Sequence, residues 1–284
     1  MKLVRYGLNS LEKPGLIDSN GQIRDLSSLV KDISFRHITM DTLAVLKALD
    51  PDQLPLAPSG VRVGPCIADV GNFIAIGLNY ALHATETDAE IPTEPILFNK
   101  AASCIVGPND DVLLPPGSTH TDWEVELAIV IGREGFNLSE ADAFDVVAGL
   151  CICNDVSERS FQLDRGGQWV KGKCFPTFGP LGPWLVTMDE IADPQALDLW
   201  MDVNGQRVQN DNTRTMIFPL RQLIAYLSTT VRLMPGDVIT TGTPPGVGLG
   251  MKPPMYLKAG DEMRLGVQGL GVQRQRVIAS PVKD

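Results

Sequence analysis

Histidine is scarce in this chain of 284 residues, with only His37, His83 and His120 present. So few imidazoles leave little room for a histidine-built zinc site. The five cysteines, Cys66, Cys104, Cys151, Cys153 and Cys174, contain no CxxC pair. That argues against a cysteine zinc site, and an odd number in a long chain fits free thiols in a reducing compartment. Basic charge is also short. There are 24 Lys and Arg against 34 Asp and Glu, a formal charge of −10, which disfavours a nucleic-acid partner because phosphate contacts need a basic surface. No apolar run approaches the roughly 18 residues of a membrane span. Gly, Asn, Glu and Pro interrupt "MKLVRYGLNSLEKPG", so it does not read as a signal peptide. We expect a cytoplasmic protein with neither membrane nor nucleic acid as partner. A small anionic ligand remains compatible, since a local metal or lysine outweighs a distant negative field.

What is present is an ordinary globular composition, 44% hydrophobic and 20% charged, enough for a sizeable core. Residues 1–65 alternate short apolar runs with the turn signals "KPG", "SNG", "PDQ" and "PSG". They are expected to form a small N-terminal domain ahead of a larger body, residues 66–284. "DTLAVLKAL" predicts a helix capped by Asp41, with Leu43, Val45, Leu46 and Leu49 apolar. The Pro-rich "DPDQLPLAPSG" reads as a linker. Beyond Pro65, "NFIAIGL", "VELAIVIG", "LDLWMDVNG", "DVITTGT" and "DEMRLGVQ" predict strands. "LSEADAFDVVAGL", with Ser139 and Asp142 as a capping box, and "PLRQLIAYLST" predict helices. The body is mainly β with a few covering helices.

The stretch "HTDWEVELAIVIG" carries a conflict. Glu124 and Glu126 are two apart, so on a strand they share one face. Two like charges on a mostly apolar strand repel and lose solvation. A divalent cation between them is one remedy, and a solvent-facing edge strand is the other. Asp155, ending the apolar run in "CICNDVSER", is a third carboxylate, although an Asx turn would equally place an Asp there. Three carboxylates favour Mg²⁺ or Mn²⁺ over Zn²⁺. In "GLNYALHATE", His83 and Glu86 would share a face of a helical turn, where the carboxylate can orient the imidazole as a general base; an incidental surface pair has the same spacing. His120 lies in a polar loop. Lys173 in "QWVKGK" suits an anion clamp beside a metal, with Lys171 as its solvated neighbour. "TGTPPGVGLG" loosely suggests a phosphate loop, but no Lys-Ser/Thr follows it.

Taken in order, "GLNYALHATE", "DWEVELAIVIG", "NDVSER", "WVKGK", "TFGPLGPW", "VNGQRVQ" and "PGDVITTGTPPGVG" resemble the fumarylacetoacetate hydrolase family over roughly residues 70–280. The resemblance implies a mixed β-roll or sandwich, usually a homodimer, behind a small N-terminal β domain. It implies Glu124, Glu126 and Asp155 as ligands of Mg²⁺ or Mn²⁺, and His83 with Glu86 as a dyad on a lid helix. Lys173 matches the family's active-site lysine. Gln162 and Thr243 match positions that hold the substrate's carboxylate and oxo oxygens, while Arg159 reads as structural. The implied activity is hydrolysis of the C3–C4 bond of a 2,4-dioxo acid to pyruvate and a carboxylic acid. An oxaloacetate-type decarboxylase, an enol–keto isomerase and a ureidoglycolate lyase are the alternatives on the same site. Two positions depart from the pattern. Pro176 stands where many relatives carry Asp, and Leu78 where some carry Arg before "NY". The Pro-Thr-Phe-Gly-Pro version resembles a branch acting on 2,4-diketo-3-deoxy sugar acids such as L-fuconate or L-rhamnonate derivatives, which would release lactate.

Overall fold

The computed structural model describes residues 1–281. The N-terminal residues form three short strands, Lys2–Tyr6 (β1), Lys13–Ile17 (β2) and Ile23–Asp25 (β3). "KPG" is not the turn its composition suggests. Pro14 and Gly15 lie inside β2, opposite Arg5 and Val4 of β1. "SNG" is a turn, its amides gathered by Asp18, which accepts from Asn20 and Gln22 at 2.9 Å each. The first helix, Met40–Lys47 (α1), is capped two residues earlier than expected: Thr39 Oγ1 accepts the amide of Thr42, and Asp41 falls in the first turn. Leu43 and Leu46 are buried while Val45 faces solvent. The Pro-rich stretch 50–60 lies against β3, where Asp25 donates its amide to Pro55 and Arg24 bridges Leu56.

The body supplies Phe73–Gly77 (β4), Ile96–Lys100 (β5), Ile105–Val106 (β6), Val112–Leu114 (β7), Thr121–Asp122 (β8) and Val125–Ile131 (β9). Next come Val147–Asn154 (β10), Ser157–Glu158 (β11), Gly179–Thr187 (β12), Asp198–Val203 (β13) and Gln206–Asn212 (β14). Val238–Thr240 (β15), Glu262–Val267 (β16) and Gly271–Ala279 (β17) complete the set. All five strands expected from the apolar pattern are present. The expected helix after Ser139 is not. Ser139 does bond Asp142, but only one short turn, Ala143–Val146, follows. The run "VAGLCICN" then becomes β10, because β9 on one side and β12 on the other satisfy its backbone.

One large sheet runs β3-β2-β1-β12-β10-β9-β15-β4-β5, with β6 beside β12. The N-terminal strands thus extend the sheet of the body through the antiparallel pair of β1 and β12. A second sheet, β14-β13-β16-β17-β7, packs across β9, β10 and β12. Buried glutamines stitch the layers together. Gln273 donates to the carbonyls of Ile152 and Gly182 at 2.9 Å each, and Gln209 accepts the amide of Val125 at 3.0 Å. Backbone groups next to bulges need such partners once water is excluded. The helix Leu220–Thr230 (α5) covers the sheet with Leu220, Leu223, Ile224 and Leu227, as its apolar spacing requires. No helix of the described residues is long and apolar enough to cross a membrane. All five cysteines are free.

Candidate active site and metal centre

Strand β9 is central in the large sheet, so Glu124 and Glu126 are not on a solvent-facing edge. Glu126 lies opposite Cys153 of β10, and the ladder continues one step to the amide of Asp155, which donates to the Glu124 carbonyl at 2.9 Å. That register makes Glu124 and Asp155 cross-strand neighbours with Glu126 diagonal to Asp155, all on one face. Each is buried, and one carboxylate oxygen from each lies within 4.8 Å of the others. Three such charges stay together only with positive compensation.

Part of it comes from three buried cations. Lys173 Nζ donates to Glu124 Oε2 at 2.6 Å and to Asp155 Oδ2 at 2.8 Å. Arg159 Nη2 lies 2.7 Å from Glu124 Oε1 and 2.8 Å from Asp122, so it holds a member of the cluster in place. Lys100, which no local motif marked, places Nζ 2.6 Å from Asp155 Oδ1. Its Nζ also donates to the carbonyls of Lys173 and Phe178, at 2.5 and 3.1 Å. Burial opposes the Lys100 charge, but Asp155 outweighs it and holds the ammonium above its ordinary value. Burial also disfavours the Glu124 charge, but Lys173, Arg159 and His83 outweigh that and hold its carboxyl down at about 2. Glu126 is different. Among the described residues no cation pairs with it directly, and its Oε2 accepts only the amide of Gly242, at 2.9 Å. Burial, then the charges of Asp155 and Glu124, push its carboxyl well above the usual range. An all-carboxylate donor set with one carboxylate that no cation pairs directly fits a hard divalent cation.

Lys173 reaches the cluster because two short helices, Arg159–Leu163 (α3) and Val170–Lys173 (α4), pack tightly. A Cβ at Gly172 would sit 2.5 Å from the Glu158 carbonyl. Lys171 points away and donates to the Arg165 carbonyl.

The helix Ala81–Glu86 (α2) brings the remaining pair. His83 Nδ1 lies 2.9 Å from Glu86 Oε1. A carboxylate only accepts, so Nδ1 carries the proton and a neutral ring keeps a free lone pair on Nε2. Glu86 is itself held by the glycine-rich loop: Gly246 donates to its Oε2 at 2.8 Å. The next amides, of Gly248 and Leu249, donate to Asp122 at 2.7 and 3.0 Å. The loop that loosely suggested phosphate binding directs its amides to two of the protein's own carboxylates.

His83, Glu124, Glu126, Asp155, Gln162, Lys173 and Thr243 line a single cavity, together with Arg159. Glu86 stands behind His83. The Thr243 hydroxyl donates to the Val125 carbonyl and accepts from Gln209, and Gln162 accepts from Arg159 at 3.1 Å. His120 stays on the surface beside Thr119.

A fold with this two-sheet core and a buried acidic cluster defines a class, and sequence comparison agrees. The model of the fumarylacetoacetate (FAA) hydrolase C-terminal family matches residues 72–278. The chain belongs to that family. A Burkholderia orbicola relative, named provisionally as a hydrolase without a substrate, is 58% identical over 97% of this chain and 98% of its own length. Fumarylacetoacetate hydrolase from Exiguobacterium antarcticum superposes with a TM-score of 0.86 at 34% identity, covering 98% of this chain and 99% of that one. Maleylpyruvate hydrolase from Sphingobium sp. SYK-6, solved with manganese(II) and pyruvate, gives 0.82 at 28% identity over 99% and 100% of the two chains. A 2-hydroxyhepta-2,4-diene-1,7-dioate isomerase from Mycobacterium marinum gives 0.76 at 29% over the same shares.

Proposed function

We propose that this chain is a metal-dependent hydrolase that cleaves the C3–C4 bond of a 2,4-dioxo acid, giving pyruvate and a carboxylic acid. The observation that carries the reading is buried His83, which faces the same cavity as the three carboxylates and Lys173 and is held from behind by half-buried Glu86. Glu124, Glu126 and Asp155 would hold Mg²⁺ or Mn²⁺. Such an ion supplies Lewis acidity at the 2-oxo group and offsets the charge left on the pyruvate fragment. His83 takes a proton from water through Nε2, while Glu86 stabilises the imidazolium so formed. The hydroxide adds to the 4-oxo carbon. As the C3–C4 bond breaks, its electron pair moves to the pyruvate side, which Lys173 faces with its ammonium. His83 then returns its proton, and C3 becomes the methyl group of pyruvate. Gln162 and Thr243 would orient the substrate's polar oxygens.

The manganese–pyruvate complex of the Sphingobium hydrolase supports this reading. The M. marinum isomerase supports a second one, in which the site shifts a proton without cleaving carbon; an oxaloacetate decarboxylase or ureidoglycolate lyase would use the same acidic cluster. Hydrolysis gives the His83–Glu86 pair a water to activate, a step that isomerisation and decarboxylation do not contain. Incubating the Mn²⁺-loaded protein with a 2,4-dioxo acid and measuring pyruvate separates them. Pyruvate in equal amount with the carboxylic acid is expected, and rearranged substrate without pyruvate would overturn the proposal. The same reading takes the protein as a cytoplasmic homodimer, for which light scattering should give twice the chain mass of 30.8 kDa. The sugar-acid assignment rests on the Pro-Thr-Phe-Gly-Pro segment and is tested by release of lactate.

A further inference from the structure

We infer that Gln209 of β14 is a positioning residue for the metal centre. From the second sheet it holds the backbone between two of the acidic residues, together with the loop that carries Thr243. The inference rests on the reading of Glu124, Glu126 and Asp155 as metal ligands.

The need for such a residue arises where β15 leaves β9. The two strands pair as far as Thr240, opposite Ala128. The Thr241 amide still reaches the Leu127 carbonyl, at 3.1 Å. At Gly242 the chain turns away with φ of 93°, a conformation open to glycine. The Gly242 amide goes to the side chain of Glu126 instead of the ladder. Beyond that turn β15 no longer flanks β9, yet Val125, between the two glutamates, is fully buried. Its backbone groups need partners there, and side chains supply them. The Thr243 hydroxyl donates to the Val125 carbonyl, and the Val125 amide donates to Gln209 Oε1, each at 3.0 Å.

Gln209 closes this array. The rest of β14 is exposed or half-buried, whereas Gln209 is wholly buried, in a place where a core ordinarily takes a hydrocarbon side chain. Its Nε2 donates to Thr243 Oγ1 at 2.8 Å and to the Pro244 carbonyl at 2.7 Å. The amide oxygen thus meets a donor and the nitrogen meets two acceptors, a match that neither a carboxylate nor a hydrocarbon reproduces. The loop also lies directly on β14, since a Cβ at Gly246 would fall 1.9 Å from the Val208 carbonyl. One side chain therefore ties Val125 to the loop whose Gly242 amide bonds Glu126. Without it, the strand segment and the loop are free to shift, and the carboxylates shift with them.

The test is a calorimetric titration of stripped wild type, Gln209→Met and Gln273→Met with Mn²⁺, below the melting temperature of each. Gln273 is the control, a buried glutamine of the same sheet that donates to the carbonyls of Ile152 and Gly182 and touches neither an acidic ligand nor a residue beside one. Both variants should melt lower than wild type. Gln209→Met should weaken Mn²⁺ binding about 10–100-fold, the range for groups that hold ligands in place, while Gln273→Met stays within about threefold of wild type. Unchanged affinity in Gln209→Met, or an equal loss in both variants, overturns the inference. If Gln209→Met does not fold, Thr243→Val removes the opposite member of the same array and should weaken Mn²⁺ in the same range. Unchanged affinity in that variant overturns the inference as well. If wild type itself binds no Mn²⁺, the metal reading fails and the inference falls with it.

Discussion

Replacing Glu126 by Gln fixes in the neutral state a carboxyl that burial and its neighbours already push toward protonation, and keeps the side chain's shape. The new amide oxygen can still accept from Gly242, as Glu126 Oε2 does at 2.9 Å. At 4.8 Å, the outer limit of the cluster's spacing, two unit charges in an effective dielectric of 20 repel by about 3.5 kcal/mol. Glu126 faces two such neighbours, Glu124 and Asp155, and gains back some attraction from Lys173. Neutralising it should therefore stabilise the metal-free protein by about 1–3 kcal/mol, or roughly 2–6 °C for a chain of this size. The same change should remove the response to metal. Wild type at a hundredfold excess of Mn²⁺ over Kd should gain about 2.7 kcal/mol, near 5 °C, and Glu126→Gln should gain nothing. Differential scanning calorimetry of both proteins, stripped and loaded, reads all four values. A variant that melts at or below stripped wild type, or that still shifts with Mn²⁺, would refute the account of Glu126 as an under-compensated ligand.

His83→Gln should lower turnover about 10²–10⁴-fold while leaving the Mn²⁺-induced melting shift intact; loss of that shift would move His83 from proton transfer to metal retention. Glu126→Ala should abolish Mg²⁺ and Mn²⁺ binding by calorimetry, and wild-type affinity would remove it from the ligand set. Lys100→Met leaves Asp155 without one of its two buried cations and should cost about 3–5 kcal/mol in urea denaturation; a cost under about 0.5 kcal/mol would mean that Lys100 does not fix Asp155. Gly248→Ala would place a Cβ 1.8 Å from the Met255 carbonyl and 2.8 Å from Asp122. We expect a loss of about 2 kcal/mol or more by the same assay, and a wild-type urea midpoint would show that the loop can yield.

The parts of this molecule that were legible in the sequence are those fixed by neighbours along the chain. Alternating or continuous apolar runs marked β4, β9, β13, β15 and β16, and the two-residue spacing of Glu124 and Glu126 forecast a shared face. The helix expected after Ser139 failed for the opposite reason. Ala143, Val146, Val147 and Leu150 fit helical spacing, but β9 and β12 offer a ladder on each side, and long-range pairing overrides local preference. Lys100 was invisible because its partner, Asp155, is distant in sequence. The one hint is a lysine ending the apolar run "ILFNK", a charge that would need a partner if buried. The contacts of Arg159 were hidden as well, since nothing in "SER" shows that α3 starts beside Glu124. The destination of the glycine-rich loop's amides was equally hidden, as both receiving carboxylates lie more than a hundred residues earlier.

The carboxylates sit in or immediately beside the adjacent strands β9 and β10 in the interior of the large sheet, whereas Leu78, Leu163, Trp169 and Leu249 of the cavity wall come from connecting segments and short helices. Strand pleat and register dictate the former, and shifting any one of them would disturb pairing across the whole layer. The latter answer to few such constraints. His83 and Lys173 share the second situation, since they come from the short helices α2 and α4, so loosening those helices should weaken proton transfer and charge neutralisation before it disturbs the carboxylates held by the sheet.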